Sequence, residues 1–223
     1  MMHVLEVDSV NIQFGSRRLL SDIYLDCKTG DTIGIFGRNG CGKSTLLKII
    51  FGTEIPQFKV VRLDSKFLKT PFLEPSAISF LTQDDFIPPN LTVEKAIKLS
   101  IRKEEVHSFI QDPIIEKIKK QKVGNLSGGE RKYLHVKLVL NQDSKFCLLD
   151  EPFNGIAPIA IDWIKNLIKI KSKEKGIMIT DHNYRNVLEI SNRIYLIKEG
   201  YGRFLNNKEE LIQFGYLNEG MLD

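Results

Sequence analysis

No stretch of this chain approaches the roughly 18 uninterrupted apolar residues that a membrane-spanning helix needs, so a link to a membrane is expected only through a partner. The first ten residues, Met1 to Val10, carry Glu6 and Asp8 and hold no long apolar run, which excludes a secretory signal there. Cysteine is scarce. Cys27, Cys41 and Cys147 are odd in number and lack metal-ligand spacing, so they read as reduced thiols in a cytosolic protein. Internal repeats and low-complexity tracts are missing, which leaves ordinary globular architecture. Concentrated charge of one sign is missing too. The 32 basic and 28 acidic residues leave a net charge of +4, and the basic ones are scattered. Lys117, Lys119, Lys120 and Lys122 form the densest cluster and read as a solvated helix face or loop, so no nucleic-acid partner is expected.

What is present is an alternation of strand-like and helix-like segments, the mark of an α/β chain. With 42% hydrophobic residues over 223 positions, the chain can bury a sizeable core as one large domain, 1–223. His3 to Val10 and Leu19 to Cys27 read as half-buried strands forming an antiparallel N-terminal portion. Thr32 to Phe36 is a short apolar run suited to a buried parallel strand. A helix is expected over Lys43 to Phe51, with Gly52 as its stop. Val60 to Leu63 and Ile78 to Leu81 read as further strands. From 84 to 142 the texture turns helical. Thr92 to Arg102 places Val93, Ala96 and Ile97 on one face, and Pro113 to Lys120 and Glu130 to Leu140 read the same way. This segment is expected to be a helical insert in the α/β core. The alternation then returns with Phe146 to Leu149, a helix near Ile159 to Ile170, and strands at Ile177 to Ile179 and Ile194 to Ile197.

Between the strand ending at Phe36 and the helix starting at Lys43 stands Gly37-Arg38-Asn39-Gly40-Cys41-Gly42-Lys43-Ser44-Thr45, which fits G-x-x-x-x-G-K-[ST]. The glycines let the backbone turn tightly and aim its N–H groups inward at phosphate oxygens. The start of the helix adds partial positive charge. Lys43 is expected on the β- and γ-phosphates and the Ser44 hydroxyl on Mg²⁺, with Cys41 giving only its backbone N–H. The ligand expected is therefore a nucleotide such as ATP with Mg²⁺. A second element completes the chemistry. Phe146-Cys147-Leu148-Leu149-Asp150-Glu151 is a buried strand with two acids at its C-terminal end, where ligands gather in open α/β sheets. Alternation along the strand sends the two side chains apart. Asp150 is expected to face the metal, and Glu151 to face the attacking water as general base.

Leu126-Ser127-Gly128-Gly129-Glu130 has capping-box spacing, so a helix should start there with its first N–H groups bare under two glycines. The same five residues resemble the signature motif of ABC (ATP-binding cassette) ATPases, and the order and spacing of all three elements match that family along nearly the whole chain. The resemblance implies a phosphate-loop NTPase core that hydrolyses ATP as the motor subunit of a transporter. It implies that Ser127, Gly128 and Gly129 close on the γ-phosphate held by a second copy or a similar subunit, head to tail. It implies that integral membrane permease subunits are partners, with the chain peripheral on the cytoplasmic face. Three further residues match family positions. Gln83 resembles the glutamine that touches Mg²⁺ or water and links to the transport partner. His182 resembles the histidine that contacts the γ-phosphate. Phe14 resembles the aromatic residue that stacks on adenine.

One departure stands out. In Pro152-Phe153-Asn154-Gly155-Ile156-Ala157-Pro158, Ala157 stands where the family usually has an aspartate, in a loop crossing the dimer interface, and this bears on communication between the two ATP sites. The insert between Gln83 and Leu126 is also short for the family, and the apolar loop Phe86 to Leu91 reads equally as a partner contact or as internal packing. Two other functions remain open: a soluble ABC ATPase of a non-transport assembly complex, and an ATP-dependent interaction switch that barely hydrolyses.

Overall fold

The computed structural model describes residues 2–74 and 76–221. Met1, Pro75 and residues 222–223 of the expected 1–223 domain lie outside the described residues. In chain order the elements are β1 (Val4–Phe14), β2 (Arg17–Lys28), β3 (Thr32–Phe36), α1 (Lys43–Phe51), β4 (Phe58–Leu63), β5 (Lys66–Phe67) and β6 (Ile78–Leu81). Four helices follow: α2 (Val93–Ser100), α3 (Val106–Ile110), α4 (Pro113–Ile118) and α5 (Gly128–Leu140). The chain ends with β7 (Phe146–Asp150), α6 (Pro158–Lys171), β8 (Gly176–Thr180), α7 (Tyr184–Ile190), β9 (Arg193–Lys198), β10 (Tyr201–Leu205) and α8 (Glu210–Gln213).

Two sheets are formed. One has the order β2-β1-β4-β5 and the other β10-β9-β3-β8-β7-β6. The first is antiparallel, and Val60 to Leu63 belongs to it as part of β4. The second is parallel apart from the edge pair β9 and β10. The α/β class expected from the sequence is thus observed, with its antiparallel N-terminal portion and mainly parallel core. Every residue of β3, β7 and β8 is buried, because both faces of the parallel sheet are covered. Period-two alternation divides β7 between two cores. Phe146 and Leu148 face the core shared with α1 and the antiparallel sheet, whereas Cys147 and Leu149 face the core built on the remaining helices.

The expected bounds of β3, α1 and β6 coincide with those observed. The first strand runs past its expected end at Val10 to Phe14. Ser9 adopts φ 54° and the register to β2 shifts between Val7 and Val10, so the buried set changes phase from Leu5 and Val7 to Val10 and Ile12. In 84–142, α2 is capped by the Thr92 hydroxyl, which accepts from the Lys95 N–H at 3.3 Å, and buries Val93, Ala96 and Ile97. Asp112 caps α4, and its other oxygen accepts from Tyr133 and Lys137 of α5, each at 2.6 Å. The apolar loop after Gln83 divides: Ile87 is buried, while Phe86 stays 42% exposed beside the His135 ring.

Candidate functional site

The loop Gly37 to Thr45 joins β3 to α1 and cannot be built without its glycines. Gly37 has φ 153°, and a Cβ there would lie 2.5 Å from Cys41 Sγ and 2.6 Å from the Ile197 carbonyl oxygen. Gly42 has φ 107°, and its Cβ would lie 2.8 Å from Leu20 Cδ2. Gly42 is also the N-cap of α1 and offers no side-chain cap, so the first N–H groups of that helix are left for an outside anion. Lys43 Nζ donates to the carbonyl oxygens of Gly37 at 2.7 Å and Arg38 at 3.4 Å, on the rim of the loop.

Two clusters flank the loop. In the first, the Ser44 hydroxyl donates to Asp150 Oδ1 at 3.0 Å, Thr180 donates to the same oxygen at 2.7 Å, and Gln83 Nε2 reaches Ser44 Oγ at 3.4 Å. Asp150 is buried, and burial pushes its carboxyl above the usual carboxylate range, against the pull of the Thr180 and Ser44 hydroxyls. Among the described residues no three or more of His, Cys, Asp and Glu gather as a metal cage. Mg²⁺ at phosphate sites takes one or two protein oxygens and completes its octahedron from phosphate and water. The hydroxyl of Ser44 and the buried carboxylate of Asp150 are hard oxygen donors of that kind and fit the ion.

The second cluster is built on a backbone turn. β7 ends at Asp150, and Glu151 takes φ 53°, a left-handed conformation that costs a non-glycine residue about 1–2 kcal/mol. Its N–H is held by the Thr180 carbonyl at 2.8 Å. This turn, rather than simple alternation, separates Glu151 from Asp150. Glu151 Oε1 lies 2.7 Å from His182 Nε2, and its Oε2 accepts from Asn154 Nδ2 at 2.9 Å. Asp181 fixes the two loops that carry these groups. It is buried and accepts from the Phe153 N–H and the Asn183 N–H, both at 2.8 Å.

A cleft of about 420 Å³ opens between the clusters, lined by Gly40, Gly42 to Thr45, Asn39, Gln83, Glu151 and His182. Phe14 stands outside this lining, 53% exposed at the tip of the β1–β2 hairpin. Its cross-strand neighbour Arg17 reaches the Gly40 carbonyl oxygen at 3.1 Å, so the hairpin tip touches the loop. Ser127, Gly128 and Gly129 are also outside it. Gly128 lines a second cleft, of about 240 Å³, which shares Gln83 and Glu151 with the first. The expected capping box is present: Ser127 Oγ accepts from the Glu130 N–H at 3.3 Å, and Glu130 Oε2 accepts from the Ser127 N–H at 3.0 Å. That box leaves the N–H groups of Gly128 and Gly129 as the bare ones. Asp85, two residues after Gln83, pairs with Arg131 at 3.1 Å and so ties the glutamine loop to the same helix.

Sequence reasoning passed over Arg17, Asp181 and Lys132. Lys132 lines the second cleft; burial pushes its ammonium down, while Asp181, Asp85, Glu151 and Asp150 pull it up. Asp181 follows a buried strand directly before His182, a signal that was available; Arg17 carried none.

Comparison with known proteins gives a consistent picture. A family model described as "ABC transporter" matches residues 20–154. The chain is 32% identical over 213 residues to the lipopolysaccharide export system ATP-binding protein LptB of Haemophilus influenzae, covering 89% of this chain and 88% of that protein. It is 31% identical over 204 residues to a probable ABC transporter ATP-binding protein of Azorhizobium caulinodans, covering 84% of this chain and 71% of that one. In fold it is similar to a solved ATP-binding subunit of an ABC transporter, with a TM-score of 0.81 at 19% identity over 95% of this chain and 93% of the other. A nucleotide-free ATP-binding cassette from an ABC transporter gives a TM-score of 0.81 at 22% identity, over 95% and 94%.

Proposed function

This chain belongs to the ABC transporter family as an ATP-hydrolysing, ATP-binding subunit, and from that premise we propose how its own residues perform the work and with which partners. Two cassettes, identical or similar, close head to tail on two ATP molecules. Loop 37–45 of each holds the phosphates, and Ser127, Gly128 and Gly129 of the other meet the γ-phosphate. The bare N–H groups of Gly128 and Gly129 support this, as does their place outside the cleft formed by their own loop. Phe14 takes the adenine, supported by its exposure at a hairpin tip held to the loop through Arg17.

The observation that carries the reading is the division of labour around the 420 Å³ cleft, with Ser44, Asp150 and Gln83 on one flank and Glu151 with His182 on the other. In the proposed reaction the loop N–H groups, among them those of Arg38, Asn39 and Cys41, cradle the β-phosphate. Lys43 swings from the Gly37 and Arg38 carbonyls onto the β- and γ-phosphates. Ser44, Asp150 and Gln83 would hold Mg²⁺, which would neutralise charge building on the phosphate oxygens. Glu151 takes a proton from the attacking water, whose oxygen bonds to the γ-phosphorus as the bond from that phosphorus to the bridging oxygen breaks, and ADP and phosphate leave. His182 and Asn154 hold the Glu151 carboxylate in place for that step.

The partner proposed is an integral membrane permease on whose cytoplasmic face the chain works. Among the described residues no helix is long and apolar enough to cross a membrane, so a spanning partner would supply the path. Relatives named for lipopolysaccharide export support a transport role, and the exposed Phe86 beside the glutamine loop supports a contact there. The choice of cargo belongs to the permease. Affinity purification from native membranes tests this. Recovery of a polytopic membrane protein is the expected result; recovery of water-soluble partners alone would replace transport by an assembly role.

A further inference from the structure

Past α8 the chain returns to the nucleotide loop. After α8 the backbone turns at Gly215, which has φ 69°, and the N–H groups of Tyr216 and Leu217 both bond to the Leu211 carbonyl oxygen, at 2.9 and 3.1 Å. Leu211 and Leu217 are buried, so the turn is anchored in the core. From this anchor the segment touches the phosphate loop at Arg38 and the ends of the strands β3 and β9 at Phe36 and Lys198. The Tyr216 ring meets Phe36, the residue before Gly37, edge-on at 5.8 Å and 66°. Arg38 Nη2 reaches the Gly215 carbonyl oxygen at 3.4 Å. Lys198 Nζ donates to the Phe214 carbonyl oxygen at 3.0 Å, and a cleft of about 370 Å³ runs between Arg38, Cys41 and Tyr216. Farther on, the Met221 carbonyl oxygen accepts from the Tyr184 hydroxyl at 2.9 Å, two residues after His182.

We infer that Phe214–Met221 is a brace behind the ATP site and that Tyr216 is a positioning residue for the phosphate loop. The inference rests on the reading of loop 37–45 as the ATP site. The glycines of the loop give its backbone freedom, and a cleft lies behind it beside Arg38 and Cys41. Phosphate binding needs its N–H groups converged before the ligand arrives, and ordering them on arrival lowers affinity. The ring of Tyr216 against Phe36 and the Arg38 contact fix the start of the loop from outside the ligand cavity. The Met221 link places the loop of His182 under the same segment, so both ends of the site rest on one support.

The test compares wild type with Tyr216→Ala, Tyr216→Phe and Tyr201→Ala, an exposed tyrosine on β10 that serves as the control. Fluorescent ATP-analogue titration gives Kd, and steady-state hydrolysis separates KM from kcat. Tyr216→Ala is expected to raise Kd and KM about tenfold while kcat stays within about threefold. Tyr216→Phe keeps the ring and is expected to bind as wild type, as is Tyr201→Ala. If Tyr216→Ala lacks a cooperative melt, Tyr216→Leu replaces it, with amide exchange of residues 36–42 as the second readout; faster exchange there is expected. Unchanged Kd and unchanged exchange in a folded variant would overturn the brace. Failure of wild type to bind the analogue would instead overturn the ATP-site reading itself.

Discussion

His182 Nε2 stands 2.7 Å from Glu151 Oε1, joining the ends of two neighbouring strands, β7 and β8, across the mouth of the nucleotide cleft. Glu151 sits in a strained turn, and His182 is 52% exposed in its side chain. Losing the imidazole frees the carboxylate to leave the position where water would meet it. His182→Ala is expected to lower kcat by about 10- to 100-fold with a small change in the Kd for ATP, and His182→Gln to recover part of the loss. Equal loss in both variants would show that the imidazole does more than hold Glu151.

Asp181 supports the same pair from below. Its two oxygens satisfy the buried N–H of Phe153 and the partly buried N–H of Asn183, and Asp181→Ala leaves both without this partner. The expected cost is about 2–5 kcal/mol in urea unfolding, with a fall in kcat as the two loops drift apart. Asp181→Asn keeps one acceptor and is expected to lie between.

Burial raises the carboxyl pKa of both Asp150 and Asp181 above the ordinary value of 3.8. A carboxylate raised in the fold binds its proton more tightly there than in the unfolded chain. Its contribution to stability is therefore full below the unfolded value and is lost as pH rises through the folded one. At neutral pH the ionised carboxylates therefore contribute less to the fold than their protonated forms would. Asp150→Asn is expected to melt at or above the wild-type temperature at pH 7, with the gap closing as pH falls toward about 4. The same variant is expected to lose Mg²⁺-dependent hydrolysis. A variant that melts lower at pH 7 by a margin independent of pH would contradict this.

Ala157 is the N-cap of α6, with φ −67° and ψ 152°, and it makes no side-chain cap. An aspartate at that position would accept from an N–H of the first turn and favour the positive end of the helix. Ala157→Asp is expected to raise stability by about 0.5–2 kcal/mol by urea unfolding. If the loop also carries signals between two bound cassettes, the variant will show steeper dependence of hydrolysis on ATP concentration than wild type.

Much of this was readable in the residues because the informative features are local. The glycine spacing of loop 37–45, the apolar run before Asp150 and the Ser127–Glu130 box each report on neighbours a few positions away. The misreadings have physical causes. β1 looked shorter than it is because the Ser9 bulge reverses the alternation, so Ile12 and Phe14 appear out of phase. β10 is an edge strand with little buried surface, and α3, α7 and α8 are each too short for a full 3.6-residue pattern to repeat. Arg17 on Gly40 and Tyr216 on Phe36 are contacts between residues far apart in sequence, fixed only when the sheets assemble.

The central claim is that loop 37–45 and Glu151 form one hydrolytic site completed by a second cassette. The most direct test is Glu151→Gln beside wild type, assayed for Mg-ATP hydrolysis and for association with ATP by size-exclusion chromatography coupled to light scattering. The account predicts slow turnover in wild type, a drop of about 10²-fold or more in the variant with ATP affinity kept, and an ATP-dependent dimer of the variant. Equal hydrolysis by the two proteins, or a variant that stays monomeric with saturating ATP, would contradict it.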